Sequence, residues 1–234
     1  MESQADSAAA PAPTRLIVVR HGETDWNVAR RLQGHEDVPL NAAGRAQAAA
    51  VAARLVKGEL AGLVARGEPP LVLSSDLSRA RDTAQAIAVA LGGLAVEAMP
   101  ALREQCLGEL QGTLKADAPA RFPASWSALR EGGAPAGGES DTQVFDRVVN
   151  CLAAACTRRP GGTVVAVSHG GALQQVHVRC KGMRSAAGVR NVAVGAVDVP
   201  HTAAGGDARA PWRVVAWNCD RHVQGGAASF NEGR

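Results

Sequence analysis

Tyrosine is absent and only 3% of the residues are aromatic. The core therefore has to be assembled from alanine, valine and leucine, and ligand binding by aromatic stacking is weakened as an account from the outset. No run approaches the ~20 apolar residues of a membrane-spanning helix, and the N-terminus lacks the charged-then-apolar order of a signal peptide, so a membrane partner is not expected. No Cys-x-x-Cys occurs. The five cysteines, Cys106, Cys151, Cys156, Cys180 and Cys219, are an odd count in mostly apolar segments and read as reduced core residues of a cytoplasmic protein. An excess of one charge is missing too. The 25 basic residues face 22 acidic ones without gathering into a run, which argues against nucleic acid as the main partner and leaves room for a local cationic pocket that takes a small anion.

A chain of 234 residues with no composition shift or long linker is long enough for one sizeable core. The opening "MESQADSAAAPAPT" is rich in Ala and Pro and carries Glu2 and Asp6 with no basic residue before Arg15. It reads as a disordered tail rather than a transit peptide, although organellar targeting stays open. The expected organisation is a tail over 1–14, one domain over 15–222, and a second tail over 223–234.

Within the domain, apolar runs alternate with helical patterns. Leu16 to Val19 is short, partly β-branched and followed by a Gly turn, as an interior parallel strand would be. A helix follows, capped by Asn41 and running through Leu55. Leu71 to Leu73 repeats the scheme, with Asp76 as the expected cap of a helix reaching about Leu91 and ended by Gly92-Gly93. "LAVEAM" reads as a strand, and Pro100 opens the loop "ALREQCLGELQG". The Pro/Gly-rich segment from Pro119 to Gly138 suggests a lid or insertion above the sheet. "GGES" starts a long amphipathic helix, "GGTVVAVSHGG" is again strand then turn, and two strands joined by a Gly/Ala/Pro loop close the domain. Alternating strands and helices imply an α/β fold with a mainly parallel sheet covered on both faces.

In such a sheet, functional groups gather beyond the carboxyl ends of the strands. Three strand ends deliver Arg20-His21, Arg79 and His169-Gly170, and a fourth loop adds Glu104. Two guanidinium forks with two imidazoles make a pocket for a doubly charged, oxygen-rich anion, so the expected ligand is a phosphoryl group. Asn27 and the backbone N–H groups of Gly170 and Gly171 are expected to add neutral donors, with helix capping as the alternative role for Asn27. A histidine among cations stays neutral, and its ring nitrogen is then a nucleophile toward phosphorus. Departure of an alcohol from a phosphomonoester needs a proton, for which Glu104 is placed better than Glu109; Glu23 reads as a turn-capping group. Arg81 reads as a surface or supporting cation. His35, His177, His201 and His222 carry no motif and read as surface or structural. No metal is expected, since the arginines beside the two motif histidines repel a dication. No organic cofactor is implied.

The blocks "RHGETDWN", "SSDLSRARDTA", "LREQCLGELQG", "GGES" and "VSHGG" together resemble, in order, the signature blocks of the histidine phosphatase superfamily, the phosphoglycerate mutase-like family. The resemblance spans Arg15 to Asp220. It implies a three-layer α/β/α sandwich, a phosphohistidine-forming nucleophile at His21, phosphate-pocket residues at Arg20, Arg79 and His169, and a proton donor at Glu104. It also implies a substrate-contacting loop at Gln33 and Gly34. Cys106 and Leu110 stand where family phosphatases often carry aromatics, which predicts a smaller, less stacked rim. "GGES" resembles the phosphatase-type members. The basic insertion of the mutases is not evident between Gly112 and Gly137, which offers only Lys115, Arg121 and Arg130. The expected activity is metal-independent hydrolysis of a small phosphorylated metabolite. The alternatives are mutase-type phosphoryl transfer and a catalytically idle phosphate-binding protein. A homodimer is left open.

Overall fold

A computed structural model of the chain describes residues 12–201 and 211–220. Six strands, β1 (Thr14–Arg20), β2 (Leu71–Ser74), β3 (Val96–Ala98), β4 (Thr163–Ser168), β5 (Val194–Val199) and β6 (Arg213–Cys219), form one sheet in the order β3-β2-β4-β1-β5-β6. The pairs β1–β4, β2–β4 and β2–β3 are parallel, and β5 is antiparallel to both of its neighbours. The helices among the described residues are α1 (Asp25–Val28), α2 (Ala42–Lys57), α3 (Ser78–Ala90), α4 (Ala118–Arg121), α5 (Pro123–Arg130), α6 (Asp141–Thr157) and α7 (Gly170–Lys181). None of them is long and apolar enough to cross a membrane.

The interior strands are apolar on both faces because both faces are covered. Successive side chains of β1 point to opposite sides. Leu16 and Val18 join Val164 and Ala166 against Val148, Leu152, Leu173 and Val176 of α6 and α7, while Ile17 and Val19 join Val165 and Val167 against Val51, Leu55, Ala84 and Ile87 of α2 and α3. The result is the three-layer α/β/α sandwich that the resemblance implies, with the aliphatic core expected from the composition. A third, smaller cluster of Leu107, Leu110 and Ala118 is backed by Leu32, Phe122, Trp126 and Leu129, and holds α4 and α5 together.

Several expected boundaries hold and one cap does not. Asn41 caps α2 through Gly44 N–H, and Ser140 of "GGES" closes a capping box on α6. Asp76 does not cap α3. Its carboxylate is held in a two-pronged pair by Arg103, at 2.7 and 2.5 Å, and the Ser78 N–H goes instead to Asp37 at 2.7 Å. A charge-assisted fork outcompetes a single cap bond. "LAVEAM" shortens to three strand residues, and Pro100 opens a 3-10 turn, Pro100–Leu102, rather than an irregular loop. The sequence-expected tails fall largely outside the described residues, as do His222 and most of the loop between β5 and β6. The other three unassigned histidines have structural partners: His35 Nε2 donates to Glu104 O, His177 lies against Trp217, and His201 bonds to Thr14.

The register decides where the chemistry lands. Arg20 at the end of β1 stands opposite Ser168 at the end of β4, and Ser74 stands opposite Val167. Arg20-His21, His169 and the turn into α3 therefore leave the sheet from one edge.

Candidate active site

His21 continues the sheet for one more bond, its N–H donating to Ser168 O at 3.0 Å. The next peptide is locked: Gly22 N–H donates to Thr83 Oγ1 at 3.1 Å, and a Cβ on Gly22 would sit 2.4 Å from Gly44 O. The Gly22 carbonyl then faces His21 Nδ1 at 2.6 Å. A carbonyl only accepts, so Nδ1 carries the hydrogen and the neutral ring keeps its lone pair on Nε2. Burial, followed by the charges of Arg20 and Arg79, holds the His21 pKa well below the ordinary histidine value.

His169 stands at the N-cap position of α7, its ring centroid 5.0 Å from that of His21. Arg79 Nε donates to His169 Nδ1 at 3.2 Å. A guanidinium only donates, so this ring is the opposite tautomer and its hydrogen is on Nε2. Burial and then Arg79 push its pKa well down as well. That Nε2 is buried without a hydrogen-bond partner, as is Arg20 Nε. Two orphaned donors thus stand beside a nitrogen lone pair.

Arg79 is fully buried and held by Glu36 O at 2.7 Å and Gly34 O at 2.8 Å. Burial lowers its pKa to about 10, which still leaves it charged at neutral pH. Arg20 Nη1 donates to Val189 O at 2.7 Å, and its guanidinium lies against Gly170, where a Cβ would come 3.6 Å from Nε. The Glu104 carboxylate sits on the first turn of α7. It accepts from Gln105 N–H at 2.8 Å, Ala172 N–H at 3.0 Å and Gly171 N–H at 3.0 Å. The Gly171 N–H expected for the phosphoryl anion is therefore taken by Glu104; helix N-termini favour any carboxylate within reach.

Arg20, His21, Arg79 and Glu104 line a cavity of about 840 Å³ together with Asn27, Gln33 and Gly34, with His169 buried behind His21. Asn27 does the capping work that was its alternative role, its Oδ1 accepting from Thr24 N–H at 3.1 Å while the residue faces the cavity. Gln33 Oε1 is buried without a partner, and Gly34 adopts a left-handed φ of 53°. Glu109 is not at the site, since its carboxylate accepts from Ser125 Oγ. The Glu23 carboxylate caps no turn and accepts from Asn41 Nδ2, and Arg81 is exposed as a surface cation would be.

The sequence reading missed the outer wall. Trp26 and Trp126 line the cavity, so the rim has aromatic surface after all, supplied by α1 and α5 rather than by the "CLGELQG" block, whose Leu110 is fully buried beneath it. Arg30, Arg31, Lys115, Arg130 and Arg184 line it too. Arg31 bonds to Gly112 O and Arg184 to Asp141, whereas Arg30, Lys115 and Arg130 have no carboxylate partner among the described residues. Arg30 is held in a left-handed conformation, φ 54°, which is uncommon outside glycine and concentrates at functional sites. That φ was the missing signal, and no sequence pattern announces it. Among the described residues no group of three or more His, Cys, Asp or Glu side chains is placed to hold a metal ion.

Residues 16–220 match the description of the histidine phosphatase superfamily, branch 1. The chain belongs to that superfamily. A metal-independent phosphoserine phosphatase of Arabidopsis thaliana is 37% identical over 214 residues, covering 90% of this chain and 83% of the relative. A glucosyl-3-phosphoglycerate phosphatase of Mycobacterium tuberculosis is 41% identical over 172 residues, 68% of this chain and 71% of the relative. Among solved structures, mycobacterial glucosyl-3-phosphoglycerate phosphatase in complex with VO3 superposes with a TM-score of 0.70 at 33% identity, covering 88% of this chain and 98% of that one. This histidine phosphatase is thus a phosphomonoester hydrolase by kinship, on the fold its sequence implied.

Proposed function

We propose that this histidine phosphatase hydrolyses a small phosphorylated metabolite through a phosphohistidine on His21, without a metal ion and with Glu104 as proton donor. The observation that carries the reading is the opposed pair of tautomers. His21 offers an Nε2 lone pair, while His169 Nε2–H and Arg20 Nε–H, both buried and unpartnered, need an acceptor that a phosphoryl oxygen supplies. Arg20 and Arg79 carry the countercharge and make the site hostile to a dication. Asn27, Gln33, Gly34 and Gly170 border the same anion and its leaving group.

In the first step His21 Nε2 bonds to phosphorus as the bond to the leaving oxygen breaks, and the carboxyl proton of Glu104 passes to that oxygen. The arginines and His169 stabilise the charge spread over the equatorial oxygens. In the second step the Glu104 carboxylate takes a proton from water, the water oxygen bonds to phosphorus, and the phosphorus–nitrogen bond breaks to release inorganic phosphate. The cavity exceeds the volume of a phosphoryl group, and its unpaired rim cations favour a leaving group that is itself anionic. The named relatives, which act on phosphoserine and on a glucosylated phosphoglycerate, agree with that class.

The test is to quench a reaction with a 32P-labelled phosphomonoester in alkali and look for acid-labile label on the protein. Wild type is expected to carry it and His21→Ala to carry none and turn over nothing. Metal-free activity in His21→Ala comparable to wild type would refute the mechanism. Following free phosphate and isomers with phosphoglycerates present separates hydrolysis from mutase transfer.

A further inference from the structure

"GGES" marks the start of α6, yet its glutamate takes no part in the capping box and has no role in the chemistry above. Glu139 accepts a two-pronged pair from Arg147, Nε to Oε1 and Nη2 to Oε2, each at 2.8 Å. The remaining N–H groups of Arg147 all go to one strip of backbone: Ala101 O at 2.9 Å, Arg103 O at 2.8 Å and Glu104 O at 2.8 Å. All five donors of the guanidinium are thereby in use. Glu139 grips the same strip from the other side, Oε2 accepting from Cys106 N–H at 2.8 Å and its carbonyl from Gln105 Nε2 at 2.7 Å. His35 Nε2 donates a second bond to Glu104 O at 2.8 Å.

The strip is a 3-10 turn running into a loop, tied elsewhere by Ser168 Oγ of β4 to Leu102 O at 2.7 Å and by Glu139 N–H to Cys106 O at 2.9 Å. Arg147 is about one-fifth exposed and bonded at every nitrogen, so its stiffness is passed to the backbone that carries Glu104. A misplacement of about 1 Å at a reacting group can cost on the order of 100-fold in rate.

We propose that Arg147, oriented by Glu139, is the positioning residue of the proton donor, fixing the backbone of Glu104 so that its carboxyl reaches the leaving oxygen. The proposal rests on Glu104 being that donor. It separates two kinds of ester. An alkyl alcohol departs only with a proton, whereas 2,4-dinitrophenolate departs without one. kcat/KM, which reports the steps through departure of the leaving group, therefore distinguishes a displaced acid from a damaged fold.

kcat/KM is to be measured for wild type, Glu104→Gln, Arg147→Met and Arg147→Lys with 2,4-dinitrophenyl phosphate and with the better of phosphoserine and 3-phosphoglycerate. Arg147→Met is expected to lose about 10- to 100-fold on the alkyl ester and less than about threefold on the dinitrophenyl ester, in the pattern of Glu104→Gln but weaker. Arg147→Lys, which keeps the charge and some donors, is expected to fall between; it carries the comparison if Arg147→Met does not fold. Equal losses on both esters, or none, with Glu104→Gln still discriminating, would overturn the positioning role alone. A Glu104→Gln that does not discriminate would overturn the donor assignment and the positioning role with it.

Discussion

Acidification should unfold this protein earlier than its carboxylates require, because two histidines are buried in the neutral form. His21 and His169 are 2% and 0% exposed, and burial with the neighbouring arginines holds both well below the ordinary value of 6.5. In the unfolded chain each takes up a proton near that value; in the folded chain it does not. Stability is therefore complete above pH 6.5 and falls as pH drops below it, since the unfolded state binds the extra protons. A group that protonates at 6.5 only when unfolded costs at most RT ln(1 + 10^(6.5 − pH)), which at pH 5 is about 2 kcal/mol, so the pair removes up to about 4 kcal/mol. The lowered carboxylates, Asp76, Glu97 and Glu139, contribute in a separate window, since their ordinary values of 3.8 to 4.5 lie below pH 5. The assay is urea unfolding at pH 7.5 and pH 5.0 in phosphate-free buffer, for wild type, His21→Asn, His169→Asn and the double variant. Asparagine is chosen because it places an amide atom where Nδ1 stands. Each substitution is expected to shrink the drop between the two pH values, by up to about 2 kcal/mol. A drop in wild type no larger than in the double variant would mean that both rings titrate normally, and the neutral-nucleophile reasoning would fail.

Gly22→Ala forces a methyl to within 2.4 Å of Gly44 O, so an overpacking cost of about 1–3 kcal/mol is expected in chemical denaturation, with kcat reduced because the His21 tautomer is set by that peptide. Thr83→Val leaves the buried Gly22 N–H without its acceptor; a loss of about 1–3 kcal/mol follows, and Thr83→Ser should restore most of it. Arg30→Ala and Arg130→Ala should each raise KM about two- to fivefold for a phosphomonoester whose leaving group carries a carboxylate, and less for 4-nitrophenyl phosphate. The difference should shrink with added salt, as expected for exposed charges worth up to about 1 kcal/mol.

The inner site was legible in the sequence for a local reason. Leu16 to Val19, Leu71 to Leu73 and the run before His169 are short apolar segments that only an interior strand buries on both faces, and each ends in a turn whose next residues must emerge at one sheet edge. Arg20, His21, Arg79 and His169 could thus be brought together without coordinates. The outer wall could not. Trp26 and Arg30 belong to a four-residue helix and its exit turn, and Trp126 and Arg130 to α5, pieces too short to carry a periodic pattern. Trp126 is placed by the small cluster around Leu107 and Leu110, and Arg30 by its carbonyl accepting from Lys115 N–H at 2.9 Å, tertiary contacts across many residues. Asp76 and Gly171 were misread for a related reason. Each had a plausible local partner, and each is claimed by a charged group from a distant loop, Arg103 in one case and Glu104 in the other.

One turn of α3 bears on both histidines. Arg79 and Thr83 are four residues apart and so share a face of the helix. Arg79 Nε fixes His169 with its hydrogen on Nε2, while Thr83 Oγ1 accepts from Gly22 N–H, one peptide before the Gly22 carbonyl that draws the His21 hydrogen onto Nδ1. Thr83 Oγ1 in turn donates to Arg79 O at 2.8 Å, which ties the two devices together. Burial first, then Arg20 and Arg79 for His21 and Arg79 for His169, holds both rings neutral, so neither tautomer is lost to double protonation. Exchanging Arg79 for a residue that cannot donate from Nε would release the His169 tautomer and remove one of the charges that lower the pKa of both rings.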